Sequence, residues 1–216
     1  MIITIANGSG GSAKSILTDN LAALRALAGH KVIVLDNDPG HTSLSWSSER
    51  RLHGHCPPVA ARSISGKGLQ PELENLSCHY HDILIDTESR DCMGSRSALL
   101  AAHVALIAID LENLAQFNEA VLINRIQIAR QTNPDLRILV VMTSTEKFPA
   151  SMDKARIQNF VQQIPAAQLF PGLLHSTAAL HCAFQGGLSV SEYLPADHAA
   201  ISEMQDLFSE VFAIPG

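Results

Sequence analysis

Between Ala6 and Ile16 the chain reads Asn7-Gly8-Ser9-Gly10-Gly11-Ser12-Ala13-Lys14-Ser15, a glycine-rich stretch ending in Lys-Ser. Such a stretch, set between a strand and a helix, holds phosphate. Its backbone N–H groups and the helix N-terminus favour an anion, Lys14 reaches β- and γ-phosphates, and the Ser15 hydroxyl ligates Mg²⁺. Taken alone it also fits a plain glycine-rich turn, because Ala13 stands where GxxxxGK[ST] has its last glycine. Two acidic segments supply what is missing: Asp36-Asn37-Asp38-Pro39 and His81-Asp82-Ile83-Leu84-Ile85-Asp86. A carboxylate closing a buried strand beside a phosphate loop is placed to hold Mg²⁺ through water, and a second one to orient an attacking water.

The elements that must position these groups are legible as short β-branched runs alternating with helix-length segments. Strands are expected at Ile2 to Ile5, Val32 to Leu35, Ile83 to Ile85, Val104 to Ile109 and Ile138 to Met142, and helices over Lys14 to Gly29, Leu69 to Leu76, Cys92 to Ala102, Leu111 to Gln131 and Ser151 to Ile164. Continuous apolar strands are buried on both faces, and strand-helix alternation makes a parallel sheet covered by helices on both sides. In such a sheet ligands bind outside the strand C-termini, so the loops after Ala6, Asp36, Asp86 and Ile109 are the ones to inspect. Ser47 to Gly68 is the least regular segment and reads as a loop with a minor strand, while Ala196 to Phe212 carries one apolar helix face.

The 216 residues, with 15 Lys+Arg against 21 Asp+Glu and a net charge of −6, suit one α/β domain over the whole of 1–216. The four cysteines include no CxxC pair, the first residues carry no basic leader, and no apolar run reaches the roughly 20 residues needed to span a bilayer. A cytoplasmic protein without a membrane span is expected. His53, His55 and Cys56 followed by Cys78, His79 and His81 fit no ordinary zinc spacing, and no Gly-x-Ser-x-Gly elbow is present.

Together these residues resemble the ParA/MinD group of deviant Walker A ATPases, and are most similar to its short ParA-type partition members. The family's opening matches Ser9 to Ser15 and Asn20-Leu21-Ala22. Its DxDP box matches Asp36 to Pro39, with Trp46 where short members often carry tryptophan, and its Walker B strand matches the run ending at Asp86. A late Gln185-Gly186-Gly187-Leu188-Ser189-Val190-Ser191-Glu192-Tyr193 is similar to QGLxVxEY, so the resemblance spans nearly the whole chain. It implies a three-layer P-loop fold that takes ATP and Mg²⁺. The cradle would be Ser9, Gly10, Gly11, Ser12, Ala13, Lys14, Ser15 and Ile16, with Asp36 in the shell around Lys14 and the metal. Lys14 would bind the phosphates, Ser15 and Asp86 would hold Mg²⁺, and Asp38 would position the hydrolytic water. It further implies an ATP-dependent homodimer, a stimulating or adaptor protein, and nonspecific DNA or a membrane as the surface used.

Several residues depart from that pattern. Ser9 occupies the place of the signature lysine that reaches the partner's phosphates, as in some carboxysome-positioning relatives, and Ala13 and Gly40 replace a glycine and a glutamine near the γ-phosphate. Weak hydrolysis and a weakened sandwich dimer are the expectation. All Lys and Arg lie at or before Arg156, so the C-terminal DNA surface of ParA-type proteins is missing, and a replacement would draw on Arg50, Arg51, Arg62 and Lys67 or on Arg125, Arg130 and Arg137. A membrane-binding C-terminal helix is disfavoured by its acidic polar side. The rival reading is an ATP-dependent small-molecule enzyme of the dethiobiotin-synthetase type. Glu88, Arg90 and Asp91, after the Walker B strand, are either γ-phosphate or partner contacts or a solvated loop.

Overall fold

A computed structural model of the chain describes residues 1–6, 13–145 and 151–213. Seven strands, β1 (Ile2–Ala6), β2 (Val32–Asn37), β3 (Ala60–Ser63), β4 (Asp82–Thr87), β5 (Val104–Asp110), β6 (Arg137–Ser144) and β7 (Ala167–His175), form one sheet in the order β3-β2-β4-β1-β5-β6-β7. Every pairing is parallel. The chain moves to one side of β1 for β2 to β4 and to the other for β5 to β7, so the strand order switches at β1, where α/β sheets open a crevice for ligands.

Helices cover both faces. On one face α1 (Ala13–Leu27), α2 (Thr42–Leu52), α7 (Ala178–Gln185) and α8 (His198–Val211) pack a core that includes Ile3, Ile5, Val34, Leu84, Leu106 and Trp46. On the other, α3 (Leu69–Leu76), α4 (Met93–Ala101), α5 (Glu119–Thr132) and α6 (Ser151–Gln162) cover Ile33, Ile85, Ile107 and Val140. This is the three-layer P-loop α/β arrangement expected from the alternation of elements, with the sheet parallel throughout. The C-terminal helix buries Ala200, Met204, Leu207 and Val211 in the first of these cores, and Arg25 stacks 4.5 Å over Phe212. Among the described residues no helix is long and apolar enough to cross a membrane.

Four elements differ from expectation. The segment expected to be irregular from Ser47 begins inside α2, a helix so rich in serine, glutamate and arginine that Trp46 is its main apolar anchor and no periodicity shows. The expected helix from Leu111 to Gln131 is broken. A 3₁₀ turn, Leu111–Gln116, ends at buried Phe117, and Asn118 then caps α5 by accepting the Val121 N–H at 3.2 Å. Strand β7, interrupted by Pro171 and Gly172, and helix α7 gave no sequence signal. They complete the far edge of the sheet and the α1 face.

Candidate functional site

Side-chain parity places the acidic pair. Val34 and Leu84 belong to the core under α1, so Asp36 and Asp86, two residues further along the same strands, face the same way. The β2–β4 register sets Asp36 directly opposite Asp86, and both are fully buried at the C-terminal edge. From above, the first turns of α1 bring Lys14, Ser15 and Asp19 onto this edge, Ser15 and Asp19 lying four residues apart on one helix face.

Ser15 donates to Asp86 Oδ2 at 2.5 Å, and Ser43, at the start of α2, donates to the same oxygen at 2.9 Å. Asp86 Oδ1 is buried with no hydrogen-bond partner. Burial pushes the Asp86 carboxyl up to about 6, against the opposing pull of Ser15 and Lys14. Asp36 is better satisfied: its carboxylate accepts the Leu44 N–H at 2.8 Å and the Asp38 N–H at 3.1 Å, yet burial still lifts it above the usual carboxylate range. Lys14, 2% exposed, donates from Nζ to Ser89 Oγ at 2.8 Å, in the loop after β4. An oxygen-only donor set with an unsatisfied buried carboxylate oxygen suits Mg²⁺, and a buried ammonium held by a neutral hydroxyl is ready to transfer to phosphate.

The structure therefore brings Lys14, Ser15, Asp36 and Asp86 together at one sheet edge. Ala13 opens α1, and Ile16 is buried in the core beneath it, with its side chain 3% exposed. Asp38 sits one turn away, where its Oδ1 accepts the Gly40 N–H at 2.8 Å. It lines a cavity of about 400 Å³ with Asn37, His41, Ser63, Glu88 and Gly94. A Cβ at Gly94 would fall 1.9 Å from Asn37 Oδ1, so a larger residue there would displace the Asn37 side chain from the cavity wall. Ser9, Gly10, Gly11 and Ser12 lie outside the described residues. Asp19, Ser43 and Ser89 were not anticipated. The i,i+4 spacing of Asp19 from Ser15 was the available signal, whereas Ser43 and Ser89 enter only through the packing of α2 and of the loop after β4.

The other motif matches serve a different end. Asn20 accepts the Val190 N–H at 2.8 Å, Trp46 donates to the Leu188 carbonyl at 3.2 Å, and Arg50 makes a two-pronged pair with Glu192 at 2.9 and 2.8 Å. These contacts lash the late segment 186–193 onto α1 and α2. Gly187, at φ +71°, is needed because a Cβ would lie 2.3 Å from the Arg50 backbone nitrogen.

That arrangement changes what several members of the expected basic patches face. Arg50 is fully buried against Glu192, and Arg125 is 5% exposed beside Asp91. Arg137 pairs with Glu210 at 2.5 Å, Arg130 donates to the Leu136 carbonyl at 3.1 Å, and Arg62 pairs with Glu72 at 2.6 Å. Arg51 and Lys67 remain exposed, so each group keeps less free positive charge for phosphate contacts than its sequence offers. In the loop after β4, Glu88 pairs with Arg90, and Asp91 with Arg96 at 2.6 Å.

A family model described as the CobQ/CobB/MinD/ParA nucleotide binding domain matches residues 3–164. No curated protein sequence matches the chain. Among solved structures, the ATP complex of a McdA variant from Cyanothece is similar over 100% of this chain and 97% of its own, at 16% identity and a TM-score of 0.76. The septum site-determining protein MinD of Pyrococcus horikoshii, complexed with Mg-ADP, is similar over 98% and 96% at 18% identity and a TM-score of 0.68. A plasmid partition protein of Borrelia burgdorferi follows over 97% and 96%, at 20% identity and a TM-score of 0.63. At these identities the likeness is one of fold.

Proposed function

Because this chain belongs to the CobQ/CobB/MinD/ParA nucleotide-binding family, we propose that it is a ParA-like positioning or partition switch that binds ATP with Mg²⁺ and hydrolyses it weakly. The observation that carries the reading is the Ser15 to Asp86 bond beside buried Lys14, at the switch in strand order. Lys14 would take the β- and γ-phosphates, Ser15 and Asp86 would hold Mg²⁺, and Asp38, at the cavity wall, would orient the attacking water. Mg²⁺ when bound supplies charge to phosphate oxygens. The bound ATP of the McdA variant and the Mg-ADP of MinD support this ligand set for the shared fold.

The readout of the switch would be association: an ATP-dependent homodimer and a stimulating or adaptor protein, with protein cargo favoured over DNA because Arg50 and Arg125 are buried and Arg62 and Arg137 are paired with carboxylates. Sedimentation with apo, ADP, ATP and a slowly hydrolysed analogue, each with Mg²⁺ and with phosphate release followed in the same samples, tests it. A shift to dimer with ATP supports the switch, and no nucleotide binding overturns it. Ser9→Lys restores a charge that can reach across a sandwich interface, so the dimer fraction in ATP is expected to rise. An unchanged fraction would remove the sandwich geometry.

The cavity of about 400 Å³ beside Asp38 favours one second reading, an ATP-dependent small-molecule enzyme of the dethiobiotin-synthetase type. Its signature would be a monomer that binds ATP and turns over only when a carboxylate acceptor is added.

A further inference from the structure

Asp19 has no role in the reading above, and its surroundings are unusual for a carboxylate. It lies on α1 in a fully buried position, where neither carboxylate oxygen makes a hydrogen bond of good geometry and the Ser43 hydroxyl is the neighbouring donor. Asp86 Oδ1, the next carboxylate, is also buried and unpartnered. The Ser43 hydroxyl beside them spends its proton on Asp86 Oδ2 at 2.9 Å, and Ser15 does the same at 2.5 Å. Asp36, equally buried, places a third carboxyl in register with Asp86. The buried cation among these groups, Lys14, is turned to Ser89 at 2.8 Å.

A buried carboxyl without a counter-charge is either neutralised by a proton, towards which burial pushes Asp19, or kept ionised by something that compensates for its lost hydration. Asp19 and Asp86 interact electrostatically, and with the two serine hydroxyls they offer only hard oxygen atoms, the kind that divalent cations such as Mg²⁺ and Mn²⁺ select. Among the described residues no three His, Cys, Asp or Glu side chains are arranged for a metal, so water would complete the coordination.

We propose that Asp19 extends the Ser15 and Asp86 pair into a divalent-cation site that fills before nucleotide arrives, so that this chain holds Mg²⁺ or Mn²⁺ without ATP. The proposal rests on the reading of Ser15 and Asp86 as metal-holding residues and adds to it an affinity that does not depend on phosphate oxygens. Asp19 is a positioning residue in this scheme: it sets how much charge the cation meets, and with it the order of binding.

The test uses the full chain stripped with EDTA and titrated with MnCl₂ in the absence of nucleotide, free Mn²⁺ being read by electron paramagnetic resonance. Saturable binding of one Mn²⁺ is expected, and Asp19→Asn should weaken it by about 10-fold to 100-fold, the range typical of removing a carboxylate that supports a metal ligand. The melting temperature supplies a second readout. MgCl₂ alone should raise that of the wild type, as any ligand of the native state does. In Asp19→Asn that rise should shrink, while the EDTA-treated variant melts no lower than wild type, because a carboxyl that burial penalises has gone. Asp19→Leu repeats both measurements with no polar atom at the position, should the asparagine variant fold poorly.

Failure of the wild type to take up Mn²⁺ without nucleotide, while taking it up with ATP, overturns the proposal and leaves the nucleotide site standing. Equal Mn²⁺ affinity in wild type and both Asp19 variants also overturns it. No uptake under either condition removes the parent reading as well.

Discussion

Lys14→Ala is expected to weaken ATP binding by about 100-fold, near 2.7 kcal/mol, when measured by calorimetry with Mg²⁺ present. In the structure Lys14 is 2% exposed and its Nζ donates to Ser89 Oγ at 2.8 Å. Moving the ammonium from a neutral hydroxyl to phosphate oxygens exchanges one ion–dipole hydrogen bond for contacts in which both partners are charged. The same competition gives the opposite sign at the partner: Ser89→Ala frees the lysine and should leave ATP affinity equal to or above that of wild type. Wild-type affinity in Lys14→Ala would remove phosphate from the site, whatever the fold suggests.

Glu192→Gln is expected to lower stability by about 3 to 5 kcal/mol, the range for stranding a buried charge. For a chain of this size that corresponds to a fall of about 10 °C in melting temperature. Arg50 is buried with its guanidinium held by both Glu192 oxygens, by the Gly187 carbonyl at 3.0 Å and by the Pro57 carbonyl at 2.9 Å. Carbonyls orient an arginine but do not cancel its charge. The paired variant Arg50→Met with Glu192→Leu should recover most of the loss, since a buried ion pair is often no more stable than an apolar replacement. A loss below about 1 kcal/mol in Glu192→Gln would show that the carbonyls suffice.

The same pair predicts a pH dependence. Burial alone would raise the Glu192 carboxyl, but its hydrogen bonds from Arg50 and Ser189 outweigh that and hold it below its ordinary value of 4.5. A depressed carboxylate contributes stability above its unfolded value, and that contribution is lost as pH falls through the folded one. The difference in stability between wild type and Glu192→Gln should therefore be constant at neutral pH and narrow below 4.5. A difference that widens on acidification would assign the wrong sign to the interaction.

Much of this molecule was legible in one dimension. The β-branched runs at Ile2 to Ile5, Val32 to Leu35, Ile83 to Ile85, Val104 to Ile109 and Ile138 to Met142 all became central strands, because burial on both faces leaves an uninterrupted apolar signature. Elements whose stability depends on distant partners left no such mark. Helix α2 is held by Trp46 and Arg50 against residues more than 130 positions later, and β7 carries Pro171 and Gly172 at the sheet's edge. Leu111 to Gln131 reads as one helix because its apolar spacing ignores the cap at Asn118, a side-chain event too small to disturb a periodicity.

The sequence by itself determined the kind of site. The types and order of Lys14, Ser15, Asp36, Asp38 and Asp86, each at the start of a helix, near the end of a strand or in the loop that follows it, follow from local patterns that survive without any knowledge of the neighbours. Only the tertiary structure decided what those groups face. Strand register set Asp36 opposite Asp86, packing of α2 delivered Ser43, the loop after β4 delivered Ser89, and the pitch of α1 sank Asp19 among them. It also turned Arg50 and Arg125 from candidate surface charges into buried ones. Charge and hydroxyl are properties of a residue. Burial, pairing and the oxygen left without a partner belong to contacts between segments far apart in the chain, and packing alone sets those.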